Sequence, residues 1–306
     1  MEKFQVTFLG CGATFPSEQH WTSMQVVNVH ERMFMVDCGE GAQARIKQLG
    51  VRVRNLDHIF ISHAHGDHVF GLVPLISTMN QAGERTSALH VYLPNEMIGL
   101  FRAELDFYVH PAFEVVIHGL TGDRREILYE DREVAVVAIP LNHRVPCCGF
   151  LFREKEKPPV LLPEKCRALG IPPVEFGKIK AGADYRMPDG TVVPNAELTA
   201  PSPFRPRAYA YCSDTAFNPG MFEQIAGVNL IYHEATFLNE DHDQAVSAAH
   251  STAAEAAETA RTVKARQLVI GHYSVRYDGE TALLDEARAV FPNTLAAQEG
   301  MVLDVE

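Results

Sequence analysis

The sequence predicts an α/β fold, in which β-sheets are layered against α-helices. Three observations support this prediction. Short apolar runs typical of buried strands alternate along the chain with longer segments whose apolar residues recur at helical spacing. Apolar residues make up 46% of the 306 residues, which is enough for a substantial core. The chain contains neither an internal repeat nor a low-complexity segment, so solenoid and disordered classes are excluded.

The same patterns predict the individual elements in chain order. Strand-like runs lie at Phe4–Leu9, Gln25–Val29, Met33–Val36, His58–Ser62, Leu89–Leu93, Val134–Ile139, Ala208–Cys212, Val228–Tyr232 and Gln267–Ile270. Helical spacing predicts helices at Ala42–Leu49 and at about 68–79, 96–108, 219–226, 252–264 and 280–290. Thr252 and Glu255 are spaced as a capping box, which predicts where the helix at 252–264 begins.

One segment, from Arg153 to Pro194, departs from this alternation. It contains seven prolines and four glycines and has little strand character. Eight of its side chains are basic and six are acidic, so it carries +2 whereas the remainder of the chain carries −14. We therefore predict a single domain over residues 1–306 with an inserted arm at 153–194. The arm is either a solvated insertion of mixed charge or a substrate-binding segment.

Composition limits the partners and the compartment. The formal net charge of −12 argues against a protein whose whole surface binds nucleic acid, but it allows a local basic patch. The six cysteines include no Cys-x-x-Cys pair, so a disulfide framework is not expected. The first residues, MEKFQVTFLGCG, predict a strand and a turn rather than a secretion signal. No apolar run reaches the roughly 18 residues of a membrane span. These observations predict a soluble cytoplasmic protein.

The strongest chemical signal is the segment SHAHGDH at 62–68, which contains three imidazoles and a carboxylate. So many ligand types in one turn are difficult to explain by packing. Imidazole nitrogen combined with carboxylate oxygen suits zinc, and suits manganese or iron less selectively. Further candidates follow other predicted strands at their C-terminal ends, where layered α/β folds place their sites. The candidate set suits a two-metal centre with one bridging carboxylate, and its members are His63, His65, Asp67, His68, His143, Asp214 and His272.

These residues resemble the metallo-β-lactamase superfamily, whose HxHxDH signature stands here at 63–68. The similarity extends to ribonuclease Z, a branch that processes the 3′ end of tRNA. The matching motifs are FLGCGATFP near the start, VDCGEGAQ at 36–43, SHAHGDHVFGLVPL at 62–75, HEATF at 233–237, HST at 250–252 and GHYSVRY at 271–277. The resemblance implies a four-layer αββα sandwich with an inserted arm. It also implies a zinc-dependent endoribonuclease that removes the 3′ trailer of precursor tRNA and forms a homodimer.

The resemblance assigns a role to each candidate residue. Two zinc ions per subunit, with manganese or iron as alternatives, would be held by two sets that share a bridging carboxylate: His63, His65, His143 and Asp214, and Asp67, His68, His272 and Asp214. Asp67 would also accept a proton. His250, oriented by Glu234, is our candidate for the acid that protonates the leaving 3′-oxygen. The alternative for His250 is packing at the start of a helix.

The arm resembles the segment with which this family grips the body of tRNA. Its best candidates for phosphate contacts are basic side chains at four positions: Lys165, Arg167, Lys178 and Lys180. The loop Pro16–Trp21 lacks the lysine and the arginine that many bacterial members carry there, which leaves the cleavage position open. Trp21 either stacks on a base or packs in the core.

Two other functions remain open at this point. The same centre could hydrolyse a small phosphodiester or sulfate ester, and the reduced arm with its altered loop favours this reading. A noncatalytic RNA-binding scaffold with a structural metal is the third possibility. The complete ligand set, which includes Asp67, argues against it.

Overall fold

The computed structural model of the protein describes residues 2–83 and 85–306. Its strands are β1 (Phe4–Gly10), β2 (Met24–Val29), β3 (Arg32–Val36), β4 (Leu56–Phe60), β5 (Leu89–Pro94), β6 (Val115–Leu120), β7 (Glu126–Glu130), β8 (Val134–Pro140), β9 (Cys148–Glu154), β10 (Val160–Leu161), β11 (Tyr185–Arg186), β12 (Val192–Val193), β13 (Thr199–Ala200), β14 (Ala208–Cys212), β15 (Leu230–Glu234), β16 (Gln267–Gly271), β17 (Thr294–Ala296) and β18 (Val302–Asp304). Its α-helices are α1 (Ala42–Gln48), α2 (Gly66–Val69), α3 (Leu72–Ala82), α4 (Ile98–Glu104), α5 (Pro163–Ala168), α6 (Phe176–Lys180), α7 (Asn195–Leu198), α8 (His242–Ala248), α9 (Ala253–Thr262) and α10 (Thr281–Val290). Short 3-10 turns lie at Val53–Asn55, Asn95–Met97, Pro173–Glu175, Pro219–Met221 and Asn239–Asp241, and a π-helical turn lies at Leu105–Val109.

The strands of the described residues form two seven-stranded sheets and two short pairs. The first sheet has the order β18-β1-β2-β3-β4-β5-β6, and the second has the order β17-β16-β15-β14-β9-β8-β7. In the first sheet β3 to β6 are parallel, and in the second β14 to β17 are parallel. Because the carboxyl ends of parallel strands lie at one edge of a sheet, the loops after β14, β15 and β16 are brought together.

Alternation along the strands of the first sheet explains the layers. In β3, Phe34 and Val36 pack in the core shared with the second sheet, whereas Met35 packs under α1 and α3. Successive side chains of a strand point to opposite faces, so both faces of this sheet are buried. Helices α9 and α10 add buried Ala256 and Leu283 to the core of the second sheet. The resulting order of helix, sheet, sheet and helix confirms the predicted αββα sandwich.

Some predicted elements differ from the observed ones. The strand predicted at Val228–Tyr232 lies two residues later, as β15. The helix predicted at 219–226 is wrong, because only a 3-10 turn at Pro219–Met221 forms there, followed by turns. Met221 and Ile225 are buried at helical spacing, but Gly227 has a φ of 70° and donates its N–H to the Val263 carbonyl. Five strands of the two large sheets are absent from the predicted runs: β6, β7, β9, β17 and β18.

The chain divides into two compact units. The larger unit comprises the described residues up to 130, together with 134–153 and 207–306, and it contains the two large sheets. The smaller unit comprises 131–133 and 154–206, with β10 to β13 and α5 to α7. Its own small core consists of Cys166, Ile171, Ile179, Val193 and Leu198. That residues 153–194 form a substrate-binding arm inserted in a single domain stays a prediction. No helix among the described residues has both the length and the apolar character that a membrane crossing requires.

Candidate metal centre

The predicted ligands lie in loops and a short helix at the carboxyl ends of strands from both large sheets. Each follows a strand: His63, His65, Asp67 and His68 follow β4, His143 follows β8, Asp214 follows β14 and His272 follows β16. All seven predicted ligands belong to the larger unit, and the structure brings them to one place. Their binding of metal stays a prediction.

Four of these residues form a first group: His63, His65, His143 and Asp214. The Nε2 atom of His63 lies 3.0 Å from Nδ1 of His65 and 3.5 Å from Oδ2 of Asp214. The Nε2 atom of His143 lies 3.3 Å from Nδ1 of His65 and 3.9 Å from Oδ2 of Asp214. One ligand atom from each residue therefore faces a common small volume.

The second group consists of Asp67, His68 and His272. Its two imidazoles approach each other to 3.4 Å between Nε2 atoms. Oδ2 of Asp67 lies 3.6 Å from Nε2 of His68 and 3.4 Å from Nε2 of His272. His272 has a φ of 61°, in the left-handed region that residues with a side chain seldom adopt, so the backbone there is held in place by its surroundings.

Asp214 lies between the two groups. Its Oδ2 faces the first group, and its Oδ1 lies 3.3 Å from Nε2 of both His68 and His272. Oδ1 is buried, and no hydrogen-bond partner for it was found among the described residues. A buried carboxylate oxygen without a donor is costly unless a cation completes it. This carboxylate thus has the geometry of a bridge between two cations.

The spacing of the donor atoms fits bound metal. Nitrogen and oxygen ligands about 2.0–2.1 Å from zinc at tetrahedral angles are separated by about 3.3–3.4 Å. The separations given above for the two groups run from 3.0 to 3.9 Å. Imidazole nitrogens that face one another at such distances also cannot all be satisfied by hydrogen bonds. The residues present therefore fit a pair of divalent ions.

Each of four histidines uses its second ring nitrogen as a hydrogen-bond donor. The donated bonds run from Nδ1 of His63 to Ser62 Oγ at 3.0 Å, from His68 to Asp37 Oδ2 at 2.7 Å, from His143 to the Ala249 carbonyl at 2.8 Å, and from His272 to Thr236 Oγ1 at 2.8 Å. These acceptors hold a proton on Nδ1, so Nε2 is directed at the centre as the nitrogen that binds a metal in its unprotonated form.

Asp37 is a supporting residue that the sequence analysis missed. It is fully buried after β3, and its Oδ1 accepts from the Ser62 N–H at 2.7 Å. Its Oδ2 accepts from the Ser62 hydroxyl, from His68 and from the Tyr211 hydroxyl at 2.6 Å. The signal in the sequence is a lone carboxylate at the end of the apolar run MFMVD, within the motif VDCGEGAQ. Thr236, within HEATF, was missed in the same way.

Glu234 and His250 form the predicted pair beside the centre. Oε1 of fully buried Glu234 accepts from Nδ1 of His250 at 2.7 Å and from the N–H groups of Thr215 and Ser251. Nε2 of His250 lies 4.0 Å from Oδ2 of Asp214. Burial alone would lower the pKa of His250, but the charge and hydrogen bond of Glu234 outweigh it and raise the pKa to about 9. The pair therefore has the geometry of an oriented proton donor.

The pKa values of the histidines shift in opposite directions in the first group and at His68 of the second group. Burial lowers the pKa of His63, His65 and His143, which keeps these imidazoles neutral and able to bind a cation. Burial would also lower the pKa of His68, but three surrounding carboxylates, with Asp214 foremost, raise it well above its ordinary value. The same negative charge favours a divalent cation at the second group.

The four predicted substrate-binding residues lie in α5 and α6 of the smaller unit and are exposed. Two of them are paired within their own helical turn: Arg167 with Glu164 at 2.8 Å and Lys178 with Glu175 at 2.9 Å. Lys165 and Lys180 have no acidic partner within the described part of the chain. These two are therefore the more available for phosphate.

The residues just before the altered loop Pro16–Trp21 contact the second group through the backbone. The Thr14 N–H donates to Oδ2 of Asp67 at 2.7 Å. Trp21 packs against Gly41 and joins the apolar cluster under the first sheet, which favours the core-packing interpretation over base stacking. Trp21 thus anchors the loop.

Comparisons with known proteins agree with this geometry. Residues 4–105 match the family model described as anti-Pycsar protein Apyc1. The chain is 47% identical to ribonuclease Z of Phocaeicola vulgatus, over 100% of this chain and 99% of that protein, and 46% identical to ribonuclease Z of Bacteroides fragilis, over 100% of both. Among solved structures it is similar in fold to human tRNase Z, short form (TM-score 0.72, 23% identity, 99% of both chains) and to the metallo-β-lactamase fold protein YhfI from Bacillus subtilis (TM-score 0.69, 19% identity, 99% and 100%). With curated relatives this similar over its whole length, and with the fold and ligand geometry described above, the chain belongs to the ribonuclease Z family.

Proposed function

We propose that this protein is a metal-dependent endoribonuclease that processes the 3′ end of precursor tRNA. Relatives named ribonuclease Z that match its full length support the reaction class. The single observation that carries the chemistry is Asp214, whose two carboxylate oxygens face two separate groups of ligands. This arrangement suits a two-metal phosphodiester hydrolase.

We propose two zinc ions, one in each group, because imidazole and carboxylate ligands at these separations suit zinc. Manganese or iron would be accepted by the same donors. When bound, the ions would activate a water for in-line attack and neutralise the charge that develops on the phosphoryl oxygens. Asp67 is the proposed proton acceptor, and its Oδ2 is held by the N–H of Thr14. Burial would raise the pKa of Asp67, but His68 and His272 hold it well below its ordinary value.

His250 is the proposed acid for the leaving 3′-oxygen. Its Nδ1 is fixed by Glu234, so its Nε2 is the nitrogen that can deliver a proton. Thr236 donates its hydroxyl to Oε2 of Glu234 at 2.6 Å and accepts from His272, which ties this pair to the second group. Glu234 acts through His250 and is a positioning residue.

The test is cleavage of a defined precursor tRNA by the metal-loaded protein, followed by mapping of the product ends. We expect a single cut that releases the 3′ trailer, and the mapped position will define the cleavage site relative to the CCA sequence. Asp67→Ala should abolish this cut while the circular dichroism spectrum is retained. Failure of the folded, metal-loaded protein to cut would contradict the proposal. The alternative function is then tested by adding tRNA while hydrolysis of a small phosphodiester is measured. A small-ester hydrolase would not be inhibited by the tRNA.

Metal content is tested separately by elemental analysis of the purified protein. We expect zinc as the main metal of this centre, lost in large part from Asp214→Asn because one oxygen of that carboxylate faces each group. An equal metal content in that variant would contradict the bridging role. Asp57→Asn is a suitable control, because Asp57 pairs with Arg85 at 2.6 Å in the first sheet and is remote from the ligand set.

We propose that exposed basic residues of the arm contact tRNA phosphates. Lys165 and Lys180 are exposed and unpaired by acids in the described residues, whereas Arg167 and Lys178 are engaged with glutamates. Lys165→Ala with Lys180→Ala should weaken tRNA binding and make the logarithm of affinity less dependent on the logarithm of salt concentration, by about one unit for each lost contact. Arg167→Ala with Lys178→Ala should have a smaller effect. Equal effects of the two pairs would contradict this ranking.

We propose a homodimer formed through an exposed apolar surface of the larger unit. Four large apolar side chains there are more than three-fifths exposed: Phe70, Leu100, Phe107 and Tyr108. Such a patch favours a protein interface over open solvent. Phe107→Glu should shift the mass measured by light scattering from dimer to monomer, whereas Val174→Glu, an equally exposed apolar position in the smaller unit, should leave it unchanged. A monomeric wild-type protein would contradict the proposal.

We propose a cytoplasmic location. All six cysteines are free and buried, which suits a reducing compartment. Fractionation of cells that express the chain with a C-terminal tag should recover it with cytoplasmic markers, and recovery with secreted proteins would contradict the proposal.

A further inference from the structure

A second convergence of ligand atoms lies outside the proposed two-metal centre. It consists of Cys11 directly after β1, His20 in the following loop and Glu299 before β18. The Sγ of Cys11 lies 3.5 Å from Nδ1 of His20, and that nitrogen lies 3.3 Å from each carboxylate oxygen of Glu299. Three segments distant in sequence therefore direct three different ligand types at one point.

These separations are those of metal ligands. A zinc ion bound about 2.3 Å from sulfur and about 2.0–2.1 Å from nitrogen places those two atoms about 3.5–3.6 Å apart at a tetrahedral angle. The corresponding nitrogen-to-oxygen separation is about 3.3–3.4 Å. An imidazolium donating to a carboxylate would approach to about 2.7–2.9 Å. The 3.3 Å distances from His20 to both oxygens of Glu299 are longer than a single strong hydrogen bond and equal the separation expected of two ligands on one zinc ion.

The charges in the cluster also suit a divalent ion. Cys11 is fully buried, and burial together with the charge of Glu299 raises the pKa of its thiol well above the ordinary value. A bound cation would displace the thiol proton and be neutralised by one thiolate and one carboxylate. His20 and Glu299 keep 12% and 14% of their side-chain surface exposed, and His20 borders a cavity of about 370 Å³ that offers a path of entry.

We propose that Cys11, His20 and Glu299 form a third metal site, for zinc or another thiol-binding divalent cation. Its donors are all different from those of the two-metal centre, and it holds a different part of the fold. The backbone of Cys11 and Ala13 pairs with that of Tyr273, and the centroid of the Tyr273 ring lies 5.0 Å from that of His20, with the ring planes inclined by 48°. An ion here would fasten the loop that carries Thr14, whose N–H donates to Asp67.

Cobalt(II) distinguishes this site from the two-metal centre, because only a thiolate ligand produces sulfur-to-cobalt charge-transfer absorption in the near ultraviolet. The protein is stripped with a chelator and titrated with Co²⁺, and bound cobalt is counted by elemental analysis. We expect the absorption band in the wild-type protein and in Asp214→Asn, which removes the bridging ligand of the other centre. Cys11→Ser should lose the band together with one bound ion per chain. Cys166→Ser, at a fully buried cysteine of the smaller unit, should retain both.

The outcomes separate this proposal from the proposed function. A wild-type protein that binds cobalt and cleaves tRNA without the band would overturn the third site and leave the nuclease intact. A band that persists in Cys11→Ser would also overturn it, because another thiol would then be the ligand. If Cys11→Ser fails to fold, Glu299→Gln provides the second test. It should weaken the cobalt affinity reported by the band at least tenfold, and an unchanged affinity overturns the proposal.

Discussion

Replacement of Asp37 by asparagine tests how the second group of ligands is oriented. The amide of asparagine has nearly the same shape as the carboxylate, and its oxygen can still accept from the Ser62 N–H. Its NH₂ group, however, replaces the oxygen that accepts from His68 at 2.7 Å. Two donors then face each other, so His68 is driven to the tautomer that carries its proton on Nε2. That nitrogen can no longer bind a cation.

The magnitude follows from the role of such supporting residues. Their loss lowers metal affinity about 10–100-fold, which is about 1.4–2.7 kcal/mol. The assay is competition for zinc against a coloured chelator, with cleavage of precursor tRNA measured at limiting zinc. We expect one of the two ions of the centre to be weakened and cleavage to recover with excess zinc. Asp57→Asn in the same sheet serves as control. Wild-type affinity for every ion in Asp37→Asn would refute the tautomer argument.

Three further predictions concern acid catalysis, pH and helix capping. His250→Ala should lower kcat about 100- to 10,000-fold with a smaller change in KM, and an unchanged kcat in steady-state cleavage would contradict its role as acid. Burial lowers the pKa of His58 from 6.5 to about 4, so the unfolded chain binds its proton first and stability is lost as pH falls from about 6.5 to about 4. His58→Phe should abolish about 2 kcal/mol of the loss between pH 7 and 5 in urea titrations, whereas an unaltered loss would exclude His58 as its source. Thr252→Ala removes a hydroxyl that accepts from the Glu255 N–H at 3.2 Å and should lower the free energy of unfolding by about 1 kcal/mol in the same titrations. An unchanged free energy of unfolding would contradict a stabilising role for the capping box.

The ligand-bearing loops could be predicted because their information is local. A dense run of imidazoles after an apolar strand, and single histidines or aspartates after other strands, are visible without knowledge of the pairing. The capping box at Thr252 is local in the same sense and is confirmed, since both of its hydrogen bonds form. The αββα order followed from the motif resemblance rather than from periodicity alone.

The supporting residues could not be predicted because their partners are distant in the sequence. Asp37 becomes important only when the fold brings His68 and Tyr211 to it. The helix expected at 219–226 failed for a related reason. Burial of Met221 and Ile225 is satisfied by turns against the second sheet, and spacing alone does not distinguish turns from a helix.

The ligands follow strands of both large sheets, so metal binding would affect how much active protein a cell retains. Ions at the centre would act as cross-links between loops that follow β4 in one sheet and β8, β14 and β16 in the other. Binding to the native state alone adds about 2.7 kcal/mol of stability when free metal exceeds the dissociation constant 100-fold. Molecules that lack metal would open more often and be removed sooner by proteases. Metal supply would thereby determine both the catalytic rate of each protein molecule and the number of molecules that escape proteolysis.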